Sequence, residues 1–125
     1  MINKINYRED DFELVSANSN YKFSIADPVW VLDKNVRLNI TIILDKLHVS
    51  HHCDFLNTLS FFATTKSASY TKKMFWAFND FLKSSEYGLI TDLSVASYHK
   101  QALINKADHL ESMRVFFKKW LSLEY

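Results

Sequence analysis

Residues 71–85 read TKKMFWAFNDFLKSS, and this stretch sets the fold class that we expect for the chain. Its large apolar residues recur at the i, i+3, i+4 and i+7 spacing of one helical face. They are Met74, Phe75, Phe78, Phe81 and Leu82. Ser67, Ser69 and Thr71 offer hydroxyl acceptors for the free backbone N–H groups at the start of such a helix. The stretch therefore predicts a strongly amphipathic helix that buries an aromatic face.

Two other helices are predicted from weaker patterns on either side. One has Ser50 as a candidate cap and ends near residues 64 and 65. Its apolar residues are Phe55, Leu56, Leu59, Phe62 and Ala63. A later helix opens at Thr91 or Ser94 and carries a weak apolar face formed by Leu93, Ala96, His99, Ala102 and Leu103. Gly88, the sole glycine, lies in the loop between residues 84 and 88 and is a candidate for positive φ.

The last helix has the clearest start signal. Asp108 and Glu111 have the D-x-x-E spacing of a capping box, in which each side chain accepts from the other residue's backbone N–H. A continuous apolar stripe follows, formed by Leu110, Met113, Phe117, Trp120 and Leu121. No internal repeat is present, so we expect the helices to form one bundle and not a solenoid.

The chain before residue 48 has a different pattern. Apolar residues alternate at Val36, Leu38, Ile40 and Ile42, which is typical of an extended strand, and residues 33–35 supply turn chemistry before them. The alternative is that residues 40–47, ITIILDKL, begin a helix, and periodicity over so short a stretch does not separate the two. We therefore expect residues 1–48 to be an N-terminal extension with a short strand element, and residues 49–125 to be the helical domain.

Composition supports a folded, mainly α protein. Hydrophobic residues make up 48% of the 125 positions and aromatic residues 15%, which is far from the signature of disorder. One glycine and one proline are too few for the tight turns of an all-β sandwich or barrel. The expected architecture is a bundle of about four helices with the N-terminal extension attached.

The cysteine content bears on the cellular compartment, and the charge distribution bears on which part of the chain could bind an anionic partner. Cys53 is the only cysteine, so we expect no intramolecular disulfide, a reducing cytoplasmic environment and a buried thiol. No export signal or membrane span is predicted. The formal net charge is +1, but residues 1–65 carry six basic and eight acidic side chains, a net of −2, and the remainder carries nine basic and six acidic, a net of +3. This mild asymmetry directs attention to the second half of the chain.

The cluster of His48, His51, His52 and Cys53 contains good zinc ligands. Adjacent residues point in different directions, and no second pair of ligands completes a tetrahedral site, so a surface or capping role is favoured over metal binding. The chain also lacks the G-x-S-x-G, H-E-x-x-H and P-loop motifs. We therefore expect no metal, no cofactor and no enzymatic activity of this chain.

An ordered set of features in residues 66–121 adds a family resemblance. A hydroxyl-bearing turn with Thr71 precedes Phe75, the helix ends on an F-x-x-F-L pattern, and Ile90 and Leu93 form an I-x-x-L element. The last helix closes with Leu110, Arg114, Phe116, Phe117, Trp120 and Leu121. This order resembles the N-terminal core-binding, SAM-like domain of tyrosine recombinases, the phage-type integrases.

The resemblance implies a module that grips duplex DNA for integration or recombination, with other recombinase protomers on the same DNA. The nucleophilic tyrosine of the family belongs to a separate C-terminal catalytic domain, and no tract here matches that domain's motifs. The resemblance also implies that a set of residues at the start of the central helix faces the DNA backbone. The set is Lys66, Ser67, Thr71, Lys72 and Lys73.

Each of these features has a structural alternative. Lysines with hydroxyls at a helix start suit phosphates, but they also suit a capped, solvated helix. A second basic group, formed by Arg114, Lys118 and Lys119, is also a candidate DNA contact, although cations near a helix C-terminus complement the helix dipole without any ligand. The aromatic residues are expected to be core and not base-stacking platforms, with Trp76 lying off the main stripe. The alternative function is a helical protein-interaction domain from a phage or mobile element.

Overall fold

The computed structural model describes residues 13–17, 21–105 and 107–123, without the side chains of residues 102–105 and 107. Within these residues, two short antiparallel hairpins precede five helices, which confirms the mainly α class with short strands. The strands are β1 (Glu13–Val15), β2 (Lys22–Ser24), β3 (Val29–Asp33) and β4 (Val36–Asn39). The helices are α1 (Ile40–Leu44), α2 (His52–Thr65), α3 (Ala68–Leu82), α4 (Asp92–Asn105) and α5 (Ala107–Leu123).

The segment around residue 40 combines both alternatives that its sequence allowed. In β4, Val36 and Leu38 are buried while Arg37 and Asn39 are exposed, which is the period of two expected for a strand. The alternation then ends, because the chain becomes helical at Ile40 and buries Ile40 and Ile43 at helical spacing. The strand prediction is thus confirmed for its first half, and the helix alternative for its second half.

Aromatic side chains of α2, α3 and α5 form the centre of the helical core. The ring centroid of Phe78 on α3 lies 4.8 Å from that of Phe55 on α2 and 5.3 Å from that of Phe116 on α5. Trp120 stacks on Phe78 at 5.9 Å, and all four side chains are buried. Offset and tilted ring pairs at such separations add a modest attraction to the large apolar area that they remove from water. The apolar stripe of α3 predicted from residues 71–85 is therefore the face that holds the bundle together.

The hairpins are part of the same core. Trp30, Leu32 and Leu38 are fully buried, and they belong to one hydrophobic cluster with the aromatic residues of the helices. Trp30 lies opposite Leu38 in the β3–β4 pairing, and its ring packs on Phe23 of β2 at 4.7 Å. Side chains from both sides of the predicted boundary at residue 48 therefore share one hydrophobic cluster.

Two of the predicted helix starts differ from expectation in detail. A 3-10 turn, Val49–His51, leads into α2, and its N-cap is His48, whose Nδ1 accepts from the Ser50 backbone N–H at 3.2 Å. The N-cap of α2 itself is His51, so the prediction that Ser50 is the cap is wrong. α5 begins at Ala107, which places Asp108 inside the first turn and not at the N-cap. Glu111 pairs instead with Arg114, one turn further along. In both cases the sequence signal marks the region of the helix start but not the capping residue.

The other two starts follow the sequence closely. Ser67 is the N-cap of α3, and its hydroxyl accepts from the Tyr70 backbone N–H at 3.1 Å. Thr91 and Ser94 satisfy each other before α4, because each side-chain oxygen accepts from the other's backbone N–H, at 3.1 and 2.9 Å. These hydroxyl contacts satisfy backbone donors that a helix start would otherwise leave unpaired.

Several residues predicted to be buried face solvent. Leu93 is 78% exposed and Leu121 is 61% exposed, and Cys53 is also exposed. α4 turns Ser94 and Tyr98 inward instead, and α5 buries Phe116. A helix with few apolar residues does not fix its own rotation, so its neighbours decide which side is buried.

Gly88 has a positive φ of +69°, as predicted for the sole glycine. It is also where two loops touch: a Cβ on Gly88 would lie 2.0 Å from the Lys46 carbonyl oxygen. The Gly88 carbonyl accepts from the His48 backbone N–H at 3.0 Å. The loop after α3 is thereby held against the connection between α1 and α2.

Candidate nucleic-acid interface

The exposed side of α3 carries Lys72 and Lys73, the two lysines within this helix that are predicted to contact DNA. Ser69, Lys72, Lys73 and Trp76 follow the i, i+3, i+4, i+7 spacing, and all four are exposed. Lys83 continues the same side at the C-cap. We call these five residues the α3 outer face. The α3 outer face lies on the opposite side of the helix from the aromatic stripe. Because the stripe packs into the core, the lysines face solvent.

Lys72 and Lys73 are available for a ligand. Within the part of the chain that the structure describes, neither ammonium group has a hydrogen-bond or ion-pair partner. Both lie one turn before Trp76, at i−4 and i−3. A neighbouring cation, Lys46, donates to the Asn79 side chain at 2.6 Å beside this face.

Asp80 is the acidic residue on this side of α3, and its carboxylate is engaged toward the other helices. Its side chain is only 14% exposed, and its oxygens lie 3.5 Å from His109 and 3.6 Å from Lys83. Burial raises the pKa of Tyr98 on α4, and the adjacent Asp80 carboxylate raises it further. The Tyr98 hydroxyl is buried without a well-formed hydrogen bond. Because Asp80 is held in this cluster, the charge presented by the α3 outer face is predominantly positive.

A second basic region lies where α2 ends and α3 begins. Lys119 of α5 lies over the Phe61 ring at 3.9 Å, and Lys66 lies over the Tyr70 ring at 5.9 Å. Phe62 joins the two rings, with centroid distances of 5.3 Å to Phe61 and 6.1 Å to Tyr70. We call these five residues the aromatic corner. The structure thus places Lys66 and Lys119 over the two ends of one run of three rings, although they are far apart in the sequence.

Lys118 lies next to this corner. A shallow groove of about 250 Å³ between α2 and α5 is lined by Phe62, Val115, Lys118, Lys119 and Ser122. Arg114 is exposed one turn earlier, but its guanidinium is paired with the Glu111 carboxylate. Of the second basic group, Lys118 and Lys119 therefore present more uncompensated charge than Arg114.

Thr71 does not face solvent, contrary to its prediction as a DNA contact. It is fully buried, and its hydroxyl donates to the Phe62 carbonyl at 3.0 Å and to the Ser67 carbonyl at 3.1 Å. A phosphate has no access to this side chain, so its role is to join α3 to the end of α2. Ser67 is half-buried, and its hydroxyl is used as the N-cap. The hydroxyls of the predicted set therefore serve the helix start, and the lysines remain as ligand candidates.

The expectation that the aromatic residues are core fails at Trp76, the residue set apart in the sequence because it lies off the main stripe. Trp76 is 40% exposed, whereas Trp30 and Trp120 are buried. The Phe75 ring lies edge-on to it with a centroid distance of 5.0 Å and an interplanar angle of 89°. This exposure agrees with its position off the main stripe, because Trp76 falls on the same helical side as Lys72 and Lys73.

The histidine cluster has structural contacts. The His51 Nε2 accepts from the Ile90 backbone N–H at 3.2 Å, and the His52 Nε2 lies 2.9 Å from the Leu47 carbonyl oxygen. Among the described residues, no group of three or more histidine, cysteine, aspartate or glutamate side chains is placed to hold a metal ion. No helix in the same residues combines the length and apolar character needed to cross a membrane.

Comparisons of the chain with protein families, with curated proteins and with solved structures give no match.

Proposed function

We propose that this chain is a DNA-binding module of the tyrosine-recombinase type, which grips duplex DNA while a separate domain performs the chemistry. The observation that carries the proposal is the pair of lysines on the α3 outer face, Lys72 and Lys73, which have no partner among the residues that the structure describes. The order of motifs between residues 66 and 121 supports the same class of protein. No catalytic role is proposed for any residue of the chain.

The proposed grip is electrostatic. Lysines that neutralise phosphates release the counterions condensed on DNA, and this release favours binding without reading the base sequence. Lys66 and Lys119 at the aromatic corner extend the basic surface around the start of α3. The start of a helix adds a partial positive charge of its own in the same region. Such a grip implies few contacts to base edges. Contacts to the DNA phosphates would therefore set the position of the module along the duplex.

The test compares two double variants by fluorescence anisotropy on a generic duplex of about 30 base pairs over a range of salt concentrations. Wild-type affinity is expected to fall steeply with salt. Lys72→Ala with Lys73→Ala is expected to weaken binding and to reduce the slope of log K against log salt by about 2, since each phosphate contact contributes about 0.9. The matched control is Lys22→Ala with Lys34→Ala, which removes the same charge from exposed positions on the hairpins.

Two outcomes would contradict the proposal. The first is an absence of duplex binding at low salt. The second is an equal loss of affinity in both double variants, which would show that net charge matters and the α3 outer face does not.

A second candidate, a protein-interaction bundle, is favoured by the exposed apolar end of α5. Leu121 is 61% exposed and Leu123 is 45% exposed, and both lie in the last turn of the helix. Exposed apolar side chains of a helix can mark sites where partner helices pack. Such binding would depend weakly on salt, so the same salt titration separates the two functions.

A further inference from the structure

Trp76 combines solvent exposure with a fixed position. The ring packs against Phe75, which is itself fully buried, so the contact restrains the indole while part of it stays in solvent. Exposing a large aromatic ring leaves apolar area in water that burial in the core would have removed.

We infer that Trp76 is a stacking platform for an unpaired nucleobase, so that the α3 outer face takes single-stranded or locally opened DNA. This inference rests on the proposed DNA-binding function and names the kind of DNA. Bases in an intact duplex stack on one another, and only an unpaired or extruded base offers its face to a protein side chain. Exposed aromatic rings beside basic residues are the usual means by which proteins hold single strands.

The surroundings of Trp76 favour a nucleic acid over an apolar peptide. Lys72 and Lys73 lie one turn before it without partners among the described residues, so a ligand that covers the indole must also meet two cations. An apolar peptide would desolvate these cations without compensation, whereas a strand supplies phosphates next to each base. Asp80, one turn after Trp76, is engaged with His109 and Lys83 and is largely buried. Repulsion of a phosphate by this carboxylate is thereby reduced.

The fluorescence of the protein offers a direct readout. Trp30 and Trp120 are buried, so a change of tryptophan emission on binding reports mainly on Trp76. We would titrate the full chain with a single strand, with the matching duplex and with the duplex carrying a single-stranded overhang. The single strand and the overhang are expected to quench emission more strongly than the blunt duplex, and Trp76→Phe should remove the difference in quenching while keeping an aromatic ring for binding.

Affinities of variants complete the test. Trp76→Ala is expected to bind the single strand and the overhang roughly five- to a hundredfold more weakly, the range for loss of one stacked base, and to bind the blunt duplex unchanged. Tyr87→Ala, which removes another exposed aromatic ring, should leave all three affinities unchanged. Lys72→Ala with Lys73→Ala should weaken binding to all three probes.

The outcomes distinguish this inference from the proposed function. Duplex binding that depends on the two lysines, with no effect of Trp76→Ala on the single strand, would overturn the inference and leave the proposed function standing. Absence of binding to all three probes would overturn both.

Discussion

Replacing Gly88 with alanine tests how tightly the loop after α3 is held against the α1–α2 connection. The added Cβ would lie 2.0 Å from the Lys46 carbonyl oxygen and 2.6 Å from the His48 backbone nitrogen. Both atoms belong to the backbone, so no side-chain rotation relieves the overlap. The φ of +69° at this position is also unfavourable for any residue with a Cβ.

The expected cost follows from two separable contributions. A left-handed conformation costs a residue with a Cβ about 1–2 kcal/mol. Moving the two backbone segments apart also breaks the hydrogen bond from the His48 N–H to the Gly88 carbonyl, 3.0 Å long, and such a bond contributes about 0.5–1.5 kcal/mol net. With residual steric strain, we expect the free energy of unfolding to fall by about 3 kcal/mol, and Tm by roughly 10 °C for a domain of this size.

Urea denaturation followed by circular dichroism measures the free energy of unfolding, and thermal melting measures Tm. Tyr87→Ala is the matched control, because Tyr87 also has a positive φ, of 59°, but is 82% exposed. This control should change the free energy of unfolding by less than about 0.5 kcal/mol. A loss of under about 1 kcal/mol for Gly88→Ala would refute the close approach of the two loops.

Two further predictions concern Tyr98 and Ser67. Burial and the neighbouring Asp80 carboxylate raise the pKa of Tyr98, so the folded state keeps a proton that the unfolded state releases above about pH 10, and stability should fall as pH rises beyond that point. Tyr98→Phe should flatten this fall in urea denaturation measured between about pH 8 and 11, and an unchanged pH profile would argue against the assignment. Ser67→Ala removes the acceptor for the Tyr70 N–H and should lower the free energy of unfolding by about 1 kcal/mol. Ser67→Asp should retain most of that stability, and equal losses for both variants would show that the cap contributes little.

Strong local patterns were enough to predict the central helix and its start. The spacing of Phe75, Phe78 and Phe81 matches one helical face, and the structure buries all three. Ser67 precedes that helix and caps it, and Gly88 has the positive φ that a sole glycine in a loop suggested. These properties depend on neighbours within one or two turns, which the sequence displays directly.

Contacts between distant segments decided most of the candidate site. The Thr71 hydroxyl was a predicted phosphate contact. In the structure the end of α2 lies close enough for the Phe62 carbonyl to accept a hydrogen bond from it. Helical periodicity gave no sign that Lys66 and Lys119 would both lie over the rings of the aromatic corner, because Lys66 follows the end of α2 and Lys119 lies on α5.

The sequence by itself determined the amphipathic character of α3, and with it the fact that lysines would lie opposite an aromatic stripe. Only the tertiary structure decided which side of α4 is buried, because Tyr98 packs on Phe81 of α3 with a ring-centroid distance of 5.5 Å while Leu93 faces solvent. It also decided that the hairpin with Trp30 completes the same core. Periodicity specifies which residues share a face, whereas the shape of the space left by distant segments determines which of them are buried.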